Sequence, residues 1–249
     1  MVSSVRKYAA FVMIQGFGGR AGPFDPLTAH PGRPYTAASA IAVMFAAPFM
    51  RLPLILFLLC QALVTIAEKV DAPLLYRACG LEGSLDPQVF AAAIARAERT
   101  GKLPKVIAIA DMTQPSTARR LYVVDLENRK LLLRTWVAHG KGSGEDRCDR
   151  TSNKNGSLCT CSGLMRVGQR ITSPKHGDAL LLHGLEKGVN DHAQEREIII
   201  HGADYVGAEH IREHGRLGRS WGCPAVAPDV MQRLLGLLPE GSLLYVYAN

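Results

Sequence analysis

The 249-residue sequence has no glycine-rich phosphate loop and no dinucleotide fingerprint, so the nucleotide-dependent chemistries those motifs carry find no support and no cofactor is implied. It has no internal repeat either, which excludes an architecture of stacked repeat units. Acidic residues are scarce at one end: residues 1–67 hold five of the 29 Lys and Arg but only one of the 22 Asp and Glu. Most of the formal charge of +7 comes from that imbalance, and the remainder carries 24 basic against 21 acidic residues. With no basic run interleaved with aromatics, a nucleic-acid partner has no support beyond the basic pI and none is expected. Crossing a bilayer takes a continuous apolar span of roughly 20 residues. The apolar run Leu52 to Val64 is shorter and is bounded by Arg51 and Glu68.

That run has a different meaning. From Met50 the chain reads "MRLPLILFLLCQALVTIAEKVDAP": a methionine able to start translation, one arginine, the apolar stretch, then small residues suited to cleavage after Ala67. Residues 50–67 are therefore expected to be a signal peptide, exporting the protein to the periplasm or cell envelope, where an uncleaved leader would act as an anchor. Cys60 belongs to the apolar leader; Leu59 before it argues against a lipoprotein site. Residues 1–49 are punctuated by Gly and Pro without a sustained period. They are expected to be an unstructured upstream extension, with translation starting near Met50 or Met44.

An apolar share of 47% allows a sizeable core in the rest. Residues 68–104 are expected to form a short helical preface: in "SLDPQVFAAAIARAERTGK", Ser84 or Asp86 can cap a helix whose Val89, Ala93 and Ala97 recur at helical spacing before Gly101. Residues 105–249 change period. "KVIAIAD", "RRLYVVDL" and "LLLRTWVA" read as strands, the last two joined by a polar turn as a β-hairpin, followed by "GLMRVG", "DALLLHGL", "REIIIHG" and "SLLYVYAN". Two short helices, "GAEHIREHG" and "PDVMQRLLGLL", interrupt them. The expected fold is mainly β with short peripheral helices. Its long loops, Gly140 to Ser162 and Lys187 to Arg196, are where function concentrates.

Five cysteines lie outside the leader: Cys79, Cys148, Cys159, Cys161 and Cys223. An odd number leaves at least one unpaired, and export permits disulfides. Cys148 can close a short loop with Cys159 or Cys161, or all three can remain thiols. Cys223 sits in "GRLGRSWGCPAV", where Gly222 opens unusual backbone geometries and Pro224 steers the preceding residue away from the α region. A thiol presented on such a turn, with backbone amides around it, suits a nucleophile that needs an oxyanion site. A base is available in "REIIIHGAD", where His201 ends an apolar strand and Gly202 follows. Singly, a histidine and a cysteine are more often a satisfied core residue and a small buried hydrophobe; together, with glycines beside both, they favour a reactive pair.

The stretch "IIIHGADYVGAEHIREHGRLGRSWGCPAV" resembles the active-site region of the L,D-transpeptidase (YkuD-like) family, in particular its murein L,D-transpeptidase catalytic domains. The family motif is a strand-end histidine, then Ser/Thr-x-Gly-Cys. The likeness extends back through "RLYVVDLENRKLLLRTWVAHGKGSG", "SNKNGS" and "LHGLEKGVND", covering roughly Lys105 to Asn249. It implies a mixed β-sandwich or barrel and an exported enzyme acting on peptidoglycan stem peptides, with no metal and no stable protein partner. Cys223 would attack the third-residue carbonyl of a donor tetrapeptide and release D-Ala, and an acceptor amine would then take the acyl group, cross-linking or remodelling the wall. His201 would be general base and acid, oriented by the Gly202 carbonyl, with Ser220, Trp221 and Gly222 shaping the wall and oxyanion hole. Water as acceptor would make the same acyl-enzyme an L,D-carboxypeptidase; a fold kept without turnover would be a wall-binding module. Many members carry histidine before the Gly-Cys and arginine or asparagine soon after it, where this chain has Trp221 and "PAV". Arg219 or Arg216 then becomes the candidate for holding a stem carboxylate.

Other motifs carry less. "HIREH" matches the H-x-x-E-H metallopeptidase pattern, with His210 and His214 as ligands and Glu213 as base. Gly215 follows at once, leaving barely two helical turns and no clear third ligand, so a solvated helix face is the better reading. "CTC" is too closely spaced for a C-x-x-C knuckle. His139 and His183 each sit at a strand-to-glycine junction, as turn residues or as lining of the substrate cleft.

Overall fold

The computed structural model describes residues 70–248; the expected extension (1–49) and signal peptide (50–67) lie outside them. No helix among the described residues is long and apolar enough to cross a membrane.

Two helices lead. In α1 (Ala72–Ala78) the Asp71 side chain accepts the Leu74 N–H, and in α2 (Pro87–Glu98) Asp86, rather than Ser84, accepts the Gln88 N–H. The apolar stripe of α2 is buried through Val89, Phe90, Ala93, Ile94 and Ala97. Eight strands follow: β1 (Val106–Asp111), β2 (Leu121–Asp125), β3 (Lys130–Thr135), β4 (Gly163–Ser173), β5 (Gly177–Gly184), β6 (Ile199–Gly202), β7 (Ala225–Val226) and β8 (Leu243–Tyr247). Helix α3 (Ala208–His214) separates β6 from β7, and α4 (Pro228–Leu237) separates β7 from β8. They form one sheet in the order β3-β2-β1-β8-β4-β5-β6-β7. Beyond β3 the chain crosses to the opposite edge, where Ala138 bridges Ala225 and Gly140 bridges Ser220. The sheet thus closes on itself into a barrel-like, mainly β fold with few short helices, as expected from the sequence.

The strands near the helices are buried on both faces. Ala108, Ala110, Leu121, Val123, Leu244 and Val246 point into the core inside the sheet, where Met231 and Leu234 of α4 join them. Their neighbours Ile107, Ile109, Tyr122, Val124, Leu243 and Tyr245 pack outward against Tyr76, Phe90 and Ile94 of α1 and α2. Period-two alternation between two apolar environments explains why "VIAIAD" and "LLYVY" read as unbroken apolar runs. Full burial of one such large side chain stabilises the fold by about 1.5–3 kcal/mol.

The structure adds what the pattern does not show. β4 continues past "GLMRVG" to Ser173 and pairs with β5 as a long hairpin, tipped by residues 174–176. Its outer half is polar and largely exposed, so no hydrophobic period marks it. The seven-residue α1 and two-residue β7 are too short for a periodic signal. Cys148, Cys159 and Cys161 are buried free thiols, so the short-loop disulfide is not formed.

Candidate active site

β6 and β7 are parallel neighbours with His201 opposite Ala225, which sets the strand end bearing His201 beside the turn that delivers Cys223. Both residues line one cavity of about 680 Å³. The His201 Nδ1 lies 2.9 Å from the Gly202 carbonyl oxygen. A carbonyl can only accept, so Nδ1 carries the proton and Nε2 keeps the lone pair. Burial holds the imidazole below its ordinary pKa against the pull of the Gly202 carbonyl, and nearby His176 and Lys175 lower it further. Burial raises the Cys223 thiol, opposed by a hydrogen bond from the Ile199 amide and by the Arg196 guanidinium, while Glu197 raises it further. The Cys223 Sγ lies 3.8 Å from the Glu197 carbonyl oxygen, and near neutral pH the cavity therefore holds a thiol and a neutral imidazole, without a pre-formed thiolate.

The turn carrying the thiol is braced by Ser220. Its Oγ donates to the Cys223 carbonyl at 2.6 Å and accepts the Gly222 N–H at 3.0 Å. Its own N–H donates to the His139 carbonyl at 3.0 Å, and its carbonyl accepts the Lys141 N–H at 2.9 Å. Ser220 thus faces inward, and the Gly222 amide is committed to it. The Cys223 N–H donates to no acceptor among the described residues, which leaves it for an oxyanion. Gly222 is required on two counts: its φ is +129°, and a Cβ there would fall 2.8 Å from the Cys159 carbonyl oxygen.

Arg219 lines the cavity, but its Nη1 is 2.7 Å from Glu145 Oε1 and 3.0 Å from the Gly144 carbonyl oxygen. Arg216 takes the other carboxylate oxygen at 3.2 Å. Both arginines assigned to a stem carboxylate are thus already held by Glu145. The arginine the sequence reading missed is Arg196, which also lines the cavity. It donates to the Ser152 and Cys159 carbonyls, the Cys161 sulfur and the Ser157 hydroxyl, and among the described residues no carboxylate pairs with it. Also missed were His176, stacked on His201 with ring centroids 3.8 Å apart, Lys175 beside it, and Tyr205. Burial pushes the Tyr205 hydroxyl up to about 12, so it remains a donor. His176 and Lys175 stand at the tip of the β4–β5 hairpin, where the turn composition of "SPKHG" was the available signal. A second cavity of about 600 Å³ shares Lys175, His176 and Tyr205 with the first but does not include Cys223.

His139 and His183 do not line the cleft. His183 Nδ1 meets Gln194 at 3.1 Å. His139 is fully buried, and its Nδ1 accepts from Arg120 Nη2 at 2.7 Å. Burial, with Arg120 adding to it, holds the His139 pKa at about 4, and its Nε2 has no hydrogen-bond partner among the described residues. His210 and His214 stack on each other at 4.1 Å on α3, which buries no residue. Among the described residues no three His, Cys, Asp or Glu side chains are grouped to hold a metal ion.

A family model described as the L,D-transpeptidase catalytic domain matches residues 82–247, two thirds of the chain. The chain belongs to this family. The L,D-transpeptidase match takes in α2 and all eight strands. No curated protein matches in sequence. Among solved structures, an L,D-transpeptidase from Mycobacterium smegmatis is similar at 15% identity and a TM-score of 0.36, over 58% of this chain and 59% of its own. One from Stackebrandtia nassauensis is similar at 15% identity and 0.38, over 70% and 75%. One from Xylanimonas cellulosilytica is similar at 16% identity and 0.34, over 62% and 69%.

Proposed function

We propose that the protein is an exported peptidoglycan L,D-transpeptidase that uses Cys223 as nucleophile and His201 as its base. The observation that carries this reading is the His201 Nδ1–Gly202 carbonyl bond, which leaves Nε2 unprotonated in the cavity that Cys223 lines. His201 Nε2 takes the thiol proton as Sγ adds to the carbonyl of the third residue of a donor tetrapeptide. The Cys223 N–H donates to the oxyanion. Collapse breaks the bond to the terminal D-Ala, whose nitrogen receives the proton from the imidazolium, and leaves a thioester. An acceptor amine then attacks the thioester and gives its proton to Nε2. The C–S bond breaks, and the imidazolium returns the proton to Sγ. Water in place of the amine yields the L,D-carboxypeptidase outcome from the same intermediate.

The test is covalent labelling. The domain is incubated with a carbapenem and weighed intact; one adduct is expected, absent in Cys223→Ala. A folded wild-type protein that gains no mass would overturn the reading and leave a wall-binding module. Turnover of a donor tetrapeptide with and without an acceptor stem then separates transfer from hydrolysis.

A further inference from the structure

Trp221 is the most exposed of the large apolar side chains, at 65% of its surface, and it stands on the nucleophile turn at the cavity's edge. Two ammonium groups from other segments converge on it. Lys175 Nζ, from the β4–β5 tip, lies over the ring 4.4 Å from its centroid, and Lys141 Nζ, from the loop after β3, lies 5.4 Å away. Cation–π attraction holds both heads there. Among the described residues neither lysine pairs with a carboxylate: Glu145 serves Arg216 and Arg219. Among the described residues Glu197, the acidic residue lining this cavity, forms no salt bridge with either lysine. The mouth of the cavity therefore presents an apolar plate with two unneutralised positive charges.

We infer that Trp221, Lys141 and Lys175 form a docking element for the free carboxylate of an anionic peptide. Resting on the transpeptidase reading, this ligand is the acyl donor, and the group held is its terminal carboxylate. In an extended chain that carboxylate lies one residue, roughly 3.5 Å, beyond the scissile carbonyl. Trp221 and Lys175 line the same cavity as Cys223, so a carboxylate so close to the scissile carbonyl stays within the space they border. The element thereby takes the place of the arginines that Glu145 occupies.

The test separates this binding from turnover. Alkylation of Cys223 by iodoacetate and by iodoacetamide is followed by peptide mass mapping at low ionic strength. The ratio of the two rates cancels changes in thiol reactivity and reports attraction of a carboxylate. In Lys141→Met/Lys175→Met the ratio is expected to fall about tenfold, and about 0.5 M salt should erase the difference from wild type. Lys141→Arg/Lys175→Arg should keep the ratio, and Trp221→Ala should lower it severalfold. A ratio unchanged in the Met double variant overturns the proposal. So does an equal fall in the charge-matched control Lys130→Met/Lys187→Met, which would reveal only the overall field. With donor tetrapeptides, the ratio of KM for the free acid to KM for the C-terminal amide should rise in the Met double variant. If wild type turns over neither peptide yet prefers iodoacetate, it is the transpeptidase reading that fails and the anion site that stands.

Discussion

Ser220→Ala removes one hydroxyl and leaves the chain trace of the nucleophile turn without its internal tie. In the native turn that oxygen satisfies two groups at once, accepting the Gly222 N–H at 3.0 Å and donating to the Cys223 carbonyl at 2.6 Å. Ser220 is only 5% exposed, so water has little access to either partner after truncation. Each such bond contributes about 0.5–1.5 kcal/mol net, and leaving a buried partner unsatisfied costs about 1–3 kcal/mol. With some relaxation of a surface-proximal turn, the expected loss is about 2 kcal/mol, read as a lower urea midpoint at unchanged slope. Activity should suffer independently, because misplacing a reacting atom by about 1 Å can cost a factor of about 100. The carbapenem acylation rate, followed by intact mass, should drop by at least about tenfold with the protein still folded at the assay temperature. Ser220→Ala with stability within about 0.5 kcal/mol of wild type and an unchanged acylation rate would refute the bracing role. A loss of stability alone would show that the turn holds its shape through the His139 and Lys141 backbone bonds.

Three further outcomes follow from the same geometry. His201→Gln should keep the fold by circular dichroism and lose at least about 100-fold in acylation rate, the usual scale for removing a general base. Because burial holds the His201 pKa below its ordinary value, the active neutral form persists into mild acid, and activity is lost only as pH falls through that lowered pKa. The acid limb of the acylation profile should lie below pH 6.5 and move to higher pH in Lys175→Gln, which removes a cation that depresses the imidazole. A limb at or above the ordinary histidine value in wild type would contradict the buried setting. Glu145→Gln should cost little stability, since exposed ion pairs contribute about 0.2–1 kcal/mol, and should lower the donor KM as Arg219 is released toward the cavity. An unchanged KM would show that Arg219 does not reach the ligand even when free.

That Cys223 and His201 should meet at one cavity could be read from sequence because each sits in its own short, glycine-marked context: a turn rich in small residues and an apolar strand end. Strands buried on both faces were equally plain, since "VIAIAD" and "LLYVY" leave no other assignment. The rest of the site is assembled from chain segments that local pattern cannot bring together. Lys141 and Lys175 reach Trp221 only because the barrel closes and the β4–β5 hairpin projects over the same mouth. The polar outer half of β4 hid that hairpin. Arg196 was invisible for a related reason: it stands next to Glu197 in a long polar loop, and only the fold turns it inward onto the Cys159–Cys161 segment. Arg219 lines the cavity, as a residue four positions before Cys223 suggests, but Glu145, distant in sequence, already occupies it.

Closure of the sheet and assembly of the site depend on the same contacts. The bridges Ala138–Ala225 and Gly140–Ser220 join the two sheet edges, and they also fix the turn on either side of Cys223. Next to them in space is Arg120, fully buried and, among the described residues, without an acidic partner, donating to the Val137 and Gln114 carbonyls and to His139. Burial lowers its pKa only to about 10, so it remains charged, and removing it would strand several polar groups in the interior. A cation kept at that cost, bonded to Val137 and His139 on either side of the bridging Ala138, fixes the path of residues 137–140, from which the His139 carbonyl receives the Ser220 N–H. The nucleophile turn is therefore tied to the barrel seam. Local opening of this turn must also break the seam, so its stability should approach that of the whole domain rather than that of an ordinary active-site loop.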